Sequence, residues 1–232
     1  MGLLADAFRE AWRLLTSGDG AVYEITLRTA LITGTSTALS TAVGVPAGLA
    51  IALARFPGQR WLVALSNAGM GIPPVVAGLI VSMMLWRSGP LGSLGLIYTP
   101  AAIVIAQFVI ATPLITAVSA GAVMALPPSL HLQIRAMGAG TLQYLWLVAR
   151  EARLPLLVAV MAGFGSVISE VGASMMVGGN LAGDTRVLTT AAVLEVSRGR
   201  FGTALALGMI LLGMVVAIAL LLTIAQQRSQ RR

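Results

Sequence analysis

Few residues in this chain are able to do chemistry. Among 232 residues there is one histidine, His131, no cysteine and no lysine, because all 15 cationic residues are arginine. Thiolate metal sites, disulfides and cysteine nucleophiles are therefore excluded. So are a Schiff-base amine and the lysine that a P-loop sets on its nucleotide phosphates. With a single histidine, no metal cluster of that kind can form, and no cofactor is expected. Of the eight acids, only Glu170 falls inside a long apolar stretch. A carboxylate at mid-bilayer costs roughly 2.5 kcal/mol or more, so such a residue is paired, faces a cavity or carries function.

The elements around these residues are those of a membrane protein. The chain is 57% hydrophobic and only 10% charged, with a mean hydropathy of +0.91, whereas a soluble domain carries about 25% charged residues. That excludes a cytosolic enzyme and a disordered tail. A net charge of +7 raises the question of nucleic acid. The arginines, however, flank apolar segments and build no basic face, so they orient the chain in a bilayer and no nucleic-acid partner is expected.

Residues 3 to 16 set Leu4, Phe8, Ala11, Trp12 and Leu15 on one helical face and Asp6, Arg9, Glu10 and Arg13 on the other. This is an amphipathic helix expected on the membrane surface. It lacks the uncharged core and cleavage site of a signal peptide. SGDG at 17–20 is a turn. Five apolar segments follow, from about Thr29 to Ala54, Trp61 to Trp86, Leu94 to Leu126, Leu154 to Val177 and Thr203 to Ala225. Each reaches the roughly 20 residues a spanning helix needs. The expected organisation is an amphipathic segment over 1–20, a transmembrane unit over 21–226 with a cytoplasmic loop at 127–153, and a basic tail at 227–232.

Arginines set the orientation. Arg55, Arg60, Arg135, Arg150, Arg153, Arg228, Arg231 and Arg232 collect on one side, and Arg9, Arg13, Arg28, Arg87, Arg186, Arg198 and Arg200 on the other. Arg55, Arg60 and the C-terminal cluster of the first set sit right at span ends, where the positive-inside rule is strongest. The N-terminus is thus expected outside and the C-terminus in the cytoplasm. On that reading His131 and Glu170 lie toward opposite faces and form no catalytic pair.

Inside the spans, Thr33, Thr37, Thr41, Gly44 and Gly48 form one stripe. Such residues let helices approach closely, and a hydroxyl-lined path is the alternative. Pro73 and Pro74 in the second span remove two backbone donors and bend the helix. Breaks of this kind are tolerated where backbone lines a cavity or is buried in protein. Thr112-Pro113 is a weaker case. Glu170 lies sixteen residues beyond Leu154, about 24 Å along a helix, and so near the outer third. It is flanked by small residues. A structural partner, Arg186 or a hydroxyl, and a role at an outer gate are both open. With no arginine in the spans, an anion would find a low-affinity passage there.

Between the third and fourth spans lies LPPSLHLQIRAMGAGTLQYLWLVAREARLP, residues 126–155. Pro127-Pro128 ends one helix, Ser129 can cap the next, Gly138-Ala139-Gly140 turns the chain, and Thr141 can cap a second helix running into the fourth span. So ordered a hairpin at the membrane surface implies something that docks on it.

RAMGAG, a helix and then REARLPLL resemble the EAA loop of ABC-importer permeases. Gly138, Ala139, Leu154 and Pro155 match that pattern. Its leading Glu-Ala-Ala does not, since Leu132, Gln133 and Ile134 stand there. The interval from Gly138 to Pro155 is also about one helical turn longer than usual. AGFGSVISEVGASMMVGGNLAGDTRVLTTAA is similar to the oxyanion branch of these permeases. Together with GIPPVVAGL and the longer loop, it looks most like tungstate-type permeases, with molybdate and sulfate the nearest alternatives. The resemblance covers about residues 22–226.

It implies an all-α integral membrane bundle of the type I importer kind, with about five transmembrane helices plus the N-terminal amphipathic helix, in a cell inner membrane. It further implies a homodimer with the pathway between subunits, a cytoplasmic ATPase subunit gripping a coupling helix at 133–145, and an extracytoplasmic binding protein that delivers the anion. ATP is hydrolysed by the partner, so the chain itself has no catalytic site. Arg135, Ala136, Gly138, Ala139 and Gly140 are then the coupling loop, with Arg135 set to pair with an ATPase acid. Glu170, Gly172, Met175, Met176, Pro73 and Pro74 are candidates for pathway and gate. Gly179, Asn180, Asp184 and Arg186 face the binding protein. A secondary transporter would instead need inverted repeats or several intramembrane charges, and neither is present.

Overall fold

A computed structural model describes residues 2–16, 20–54 and 57–230. Most of the SGDG turn, Arg55, Arg231 and Arg232 lie outside the described residues, as do the side chains of Leu4, Ala11, Leu15 and Arg228. The described chain forms eleven α-helices: α1 (Gly2–Thr16), α2 (Gly20–Leu53), α3 (Gln59–Met70), α4 (Pro74–Leu85), α5 (Pro100–Met124), α6 (Pro128–Ala136), α7 (Thr141–Glu151), α8 (Arg153–Ile168), α9 (Gly172–Gly178), α10 (Leu188–Ser197) and α11 (Phe201–Gln230). Three of them, α2, α5 and most of α11, are long and apolar enough to cross a membrane. The count reaches five if each bent pair, α3 with α4 and α7 with α8, is one span.

The centre is α5, which touches α2, α3, α4, α8 and α9. Helices in lipid gain no hydrophobic drive from meeting one another, so close van der Waals contact has to hold them. Here α5 supplies knobs and its neighbours supply missing side chains. Ile115, fully buried, sits between Gly44 of α2 and Gly163 of α8. A Cβ at Gly44 would lie 2.9 Å from its Cγ2, and one at Gly163 would lie 2.6 Å from its Cδ1. Gly48 faces Ser119 and the Thr116 carbonyl, each 2.7 Å from where a Cβ would stand. Gly69 of α3 receives the ring of Pro113, and Gly178 of α9 receives Ile103.

One polar tie crosses this centre. Ser36 Oγ of α2 donates to Gln107 Oε1 at 2.7 Å, and Gln107 Nε2 donates to the Val167 carbonyl of α8 at 3.2 Å. Ser36 with Gln107, Gly44 with Ile115 and Gly48 with Ser119 are all 71 residues apart. The two helices therefore run parallel in one fixed register. The seam is Ser36, Ser40, Gly44, Gly48; it shares Gly44 and Gly48 with the stripe that the sequence suggests, whose threonines lie one step round. Thr33 and Thr37 are buried beside it, and Thr33 bonds back to its own helix at the Thr29 carbonyl, 2.7 Å away. The stripe is a packing face.

Several expected helices differ in the structure. The second span breaks between Met70 and Pro74, where its halves meet at 101°, because Pro73 and Pro74 offer no N–H to continue the ladder. The third becomes helical only at Pro100, where the Thr99 hydroxyl accepts from Ala102 N–H at 3.3 Å. The fourth is not continuous to Val177 but stops at Ile168 and restarts at Gly172. Neither Ser129 nor Thr141 caps a helix, since Pro127 and Gly140 hold the N-cap positions. Helix α1 packs along α11, with Leu14 against a cluster that includes Val22, Leu207 and Ile210, while Phe8 and Trp12 stay exposed.

Replacing Gly48 by Val should destabilise the chain by about 2 kcal/mol through overpacking of the α2–α5 seam. Gly34→Ala on the open face of α2, where a Cβ meets nothing within 4 Å, should hold or raise stability. Thermal unfolding in detergent distinguishes them.

Candidate functional site

Three groups of residues carry the candidate function, at the two ends of the bundle and at its broken middle. At one end α6 and α7 form the hairpin. Gly138 turns the chain with φ of 76° and donates its N–H to the Arg135 carbonyl at 3.0 Å. That left-handed conformation strains any residue with a Cβ. The Gly140 N–H donates to Gln143 Oε1 at 3.1 Å as α7 begins. Residues 133–145 are consequently not one helix. They comprise the end of α6, a turn and the start of α7, which then meets α8 at 71°.

Ile134 and Val148 anchor the hairpin on the bundle. The Arg135 guanidinium lies 5.1 Å from the Tyr144 ring centre, and the Tyr144 hydroxyl is 2.9 Å from His131 Nδ1. The outward side is apolar: Leu132, Met137 and Leu142 are exposed by 69%, 75% and 81%. Ala136 and Gly138 are exposed with them, and Ala139 is half-buried. Contiguous exposed apolar residues mark an interaction site. Sequence reading put Met137, Leu142 and Tyr144 inside the 133–145 segment without singling them out, although apolar residues beside the Gly138 turn were the available signal.

In the middle, the restart of α9 packs on the restart of α4. A Cβ at Gly172 would lie 2.6 Å from Val75 Cγ2, and one at Gly78 would lie 2.5 Å from Ala173 Cα. Glu170 is buried at this junction. Its Oε1 accepts the Ala173 N–H at 2.7 Å, and its carbonyl accepts the Thr189 hydroxyl at 3.1 Å. The carboxylate thus answers an orphan donor at a helix start, where negative charge is favoured. Arg186 is not its partner. Pro73, Pro74 and Met175 are exposed, and Met176 is half-buried.

At the far end, residues 179–187 form a loop built from its own polar groups. Gly179, Asn180 and Gly183 take φ values of 67°, 52° and 79°. The Thr185 hydroxyl donates to the Gly178 carbonyl at 2.5 Å and accepts the Leu181 N–H at 2.8 Å. Arg186 reaches Asn180 Oδ1 and its carbonyl, both at 3.3 Å. Arg28 ties the loop to α2, donating to the Gly183 carbonyl at 2.8 Å and the Arg186 carbonyl at 3.2 Å while pairing with Glu24. Asn180 and Arg186 therefore shape the loop, and the segment Leu181 to Asp184 is what it exposes. Arg28 was not foreseen as part of this site, because its contacts span 155 and 158 residues; Thr185 was missed although its bonds to Gly178 and Leu181 are local.

Among the described residues, no group of His, Cys, Asp or Glu is placed to hold a metal ion. Residues 44–232 match the family model described as "binding-protein-dependent transport system inner membrane component". The chain belongs to that family. It is 37% identical over 218 residues to the tungstate uptake system permease protein TupB of Peptoclostridium acidaminophilum, covering 94% of this chain and 96% of the relative. A probable anion ABC transporter permease protein of Haloferax volcanii is 39% identical over 199 residues, 84% and 86% of the two chains. A sulfate transport system permease protein CysW of Synechocystis is 26% identical over 213 residues, 89% of this chain and 76% of the relative. Among solved structures, the MetNI methionine ABC transporter in an inward facing conformation superposes with a TM-score of 0.72 at 20% identity, over 93% of this chain and 97% of that chain. That similarity shows a shared fold.

As an ABC importer permease of the inner membrane, the chain places a buried carboxylate where its fourth span breaks. Glu170→Ala should lose about 1 kcal/mol by leaving the Ala173 N–H without its acceptor. Glu170→Gln retains an acceptor oxygen and should unfold close to the wild type. Comparing the two midpoints in detergent checks that hydrogen bond.

Proposed function

We propose that this chain is the membrane subunit of an ATP-driven oxyanion importer, with tungstate the first candidate substrate. Two copies form the pathway between them, a cytoplasmic ABC ATPase grips the α6–α7 hairpin, and an extracytoplasmic binding protein docks on the opposite end. The N-terminus lies outside and the C-terminus in the cytoplasm. The exposed apolar row Leu132, Met137 and Leu142 on an ordered hairpin supports this reading most directly. Left in water it would be an aggregation hazard; seated in a partner's cleft it becomes an anchor.

The broken middle supports the dimer. Gly71 to Val75 are exposed, and proline-interrupted backbone at membrane depth is stable only against protein or a water-filled cavity. A second copy supplies both. Glu170, Gly172, Met175, Met176, Pro73 and Pro74 then border the passage, which binds the anion weakly because its walls lack arginine. The exposed Leu181–Asp184 segment, stiffened by Arg28, Asn180, Arg186 and Thr185, receives the binding protein beside Gly179. Arg135, held over Tyr144, stiffens the hairpin turn and stands ready for an acid of the ATPase.

Gly138→Val, which strains the hairpin turn, should reduce ATPase co-purification and tungstate uptake by tenfold or more while the chain still reaches the membrane. Unchanged co-purification and uptake would assign coupling to another loop. Metal analysis of cells offered tungstate, molybdate and sulfate together reads substrate choice, and the CysW relative makes sulfate the second reading to test. Uphill uptake by the reconstituted chain on an ion gradient, without ATPase or nucleotide, would overturn the proposal.

A further inference from the structure

A groove between α2 and α7 begins at Leu142, at the base of the hairpin, and runs from there along α7. Its volume is about 760 Å³, and its walls include Pro46, Leu49 and Ala50 of α2 and Leu142, Gln143, Leu145, Trp146 and Ala149 of α7. All of these side chains except Gln143 are apolar. One wall is the last two turns of a helix long enough to cross the bilayer, so the groove lies at the membrane boundary on the hairpin side. The other wall is the helix that turns by 71° into α8. At its edge Trp146 is 60% exposed, and the Arg150 guanidinium lies 5.3 Å from its ring centre. Tryptophan with arginine at a helix end is the signature of the headgroup layer, and basic pockets between helices on this side of a bilayer take anionic headgroups.

We propose that the groove is a binding site for one anionic phospholipid. An acyl chain fills the channel between Leu49 and Leu145, and the headgroup phosphate pairs with Arg150 above Trp146. Charge selects this occupant: a hydrocarbon slot with a cation at its mouth is complementary to a lipid carrying a phosphate and a net negative charge. A bound lipid there props α7 against α2 and sets the base on which the hairpin stands.

Trp146 reports on its own site. The chain has four tryptophans, and replacing Trp12, Trp61 and Trp86 by Phe leaves Trp146 as the sole emitter in the full-length protein. Reconstituted in phosphatidylcholine vesicles, this variant should be quenched by brominated phosphatidylglycerol with a relative binding constant about fivefold above that of brominated phosphatidylcholine, the effect of one arginine near a charged headgroup. Arg150→Gln should bring that ratio close to one. Arg87→Gln at the other end of the bundle should leave it unchanged, and Ala50→Phe, which fills the slot, should weaken quenching by both lipids. Equal constants in the parent variant, or a preference that survives Arg150→Gln, would overturn the proposal. Protection of Trp146 from both lipids would also overturn it, since a second copy or another protein would then cover the groove.

Discussion

Close approach of helix backbones to α5 is the constraint on which the rest of the structure rests. In a lipid setting there is no water to expel between helices, so attraction falls off as soon as surfaces separate. The chain meets this demand by deleting side chains where α5 presents its largest ones. Ile115 occupies the space left by Gly44 and Gly163, Ile103 that left by Gly178, and Pro113 that left by Gly69. Gln107 adds one directional link, joining α2 and α8 through two hydrogen bonds in a medium with no competing water. The hydroxyls of Thr37, Ser40 and Ser119 near this seam make no hydrogen bond among the described residues. Their value to the seam is small size rather than bonding.

That tight centre permits irregular backbone nearby. Two of the expected spans are interrupted, and the resumed helices α4 and α9 lie against each other through Gly78 and Gly172. A break in one would leave backbone groups unanswered, but Glu170 reaches forward to the start of α9 and Thr189 reaches back to the Glu170 carbonyl. The acid is retained inside the bundle because it satisfies a donor that the helix break creates. The same junction lies beside the exposed Pro73 and Pro74.

The two ends of the bundle are built by different means. The hairpin end is held by burial of Ile134 and Val148 and by the Arg135–Tyr144–His131 contacts, and it turns an apolar row outward. The far end is held by polar groups, with Arg28 clamping carbonyls of a loop 155 to 158 residues away.

Much of this was written in the sequence. Composition, the length of the apolar segments and the placement of arginines fix a helical membrane bundle, because the bilayer admits few alternatives and its thickness sets helix length. Pro73-Pro74 marks a break and Gly138 a turn, since those residues act on their own backbone. What the sequence does not reveal is anything depending on register between distant helices. Gly44 and Gly48 of the expected stripe do meet α5, but contact with α5 continues that line to Ser36 rather than to Thr33. Glu170 finds its partner three residues away rather than at Arg186, because α8 ends just before it, an ending no local pattern announces. Asn180 and Arg186 also bind each other, a contact that only the bend of the loop reveals. Local chemistry is legible from residue type, whereas the assignment of partners requires the three-dimensional distances that packing on α5 alone determines.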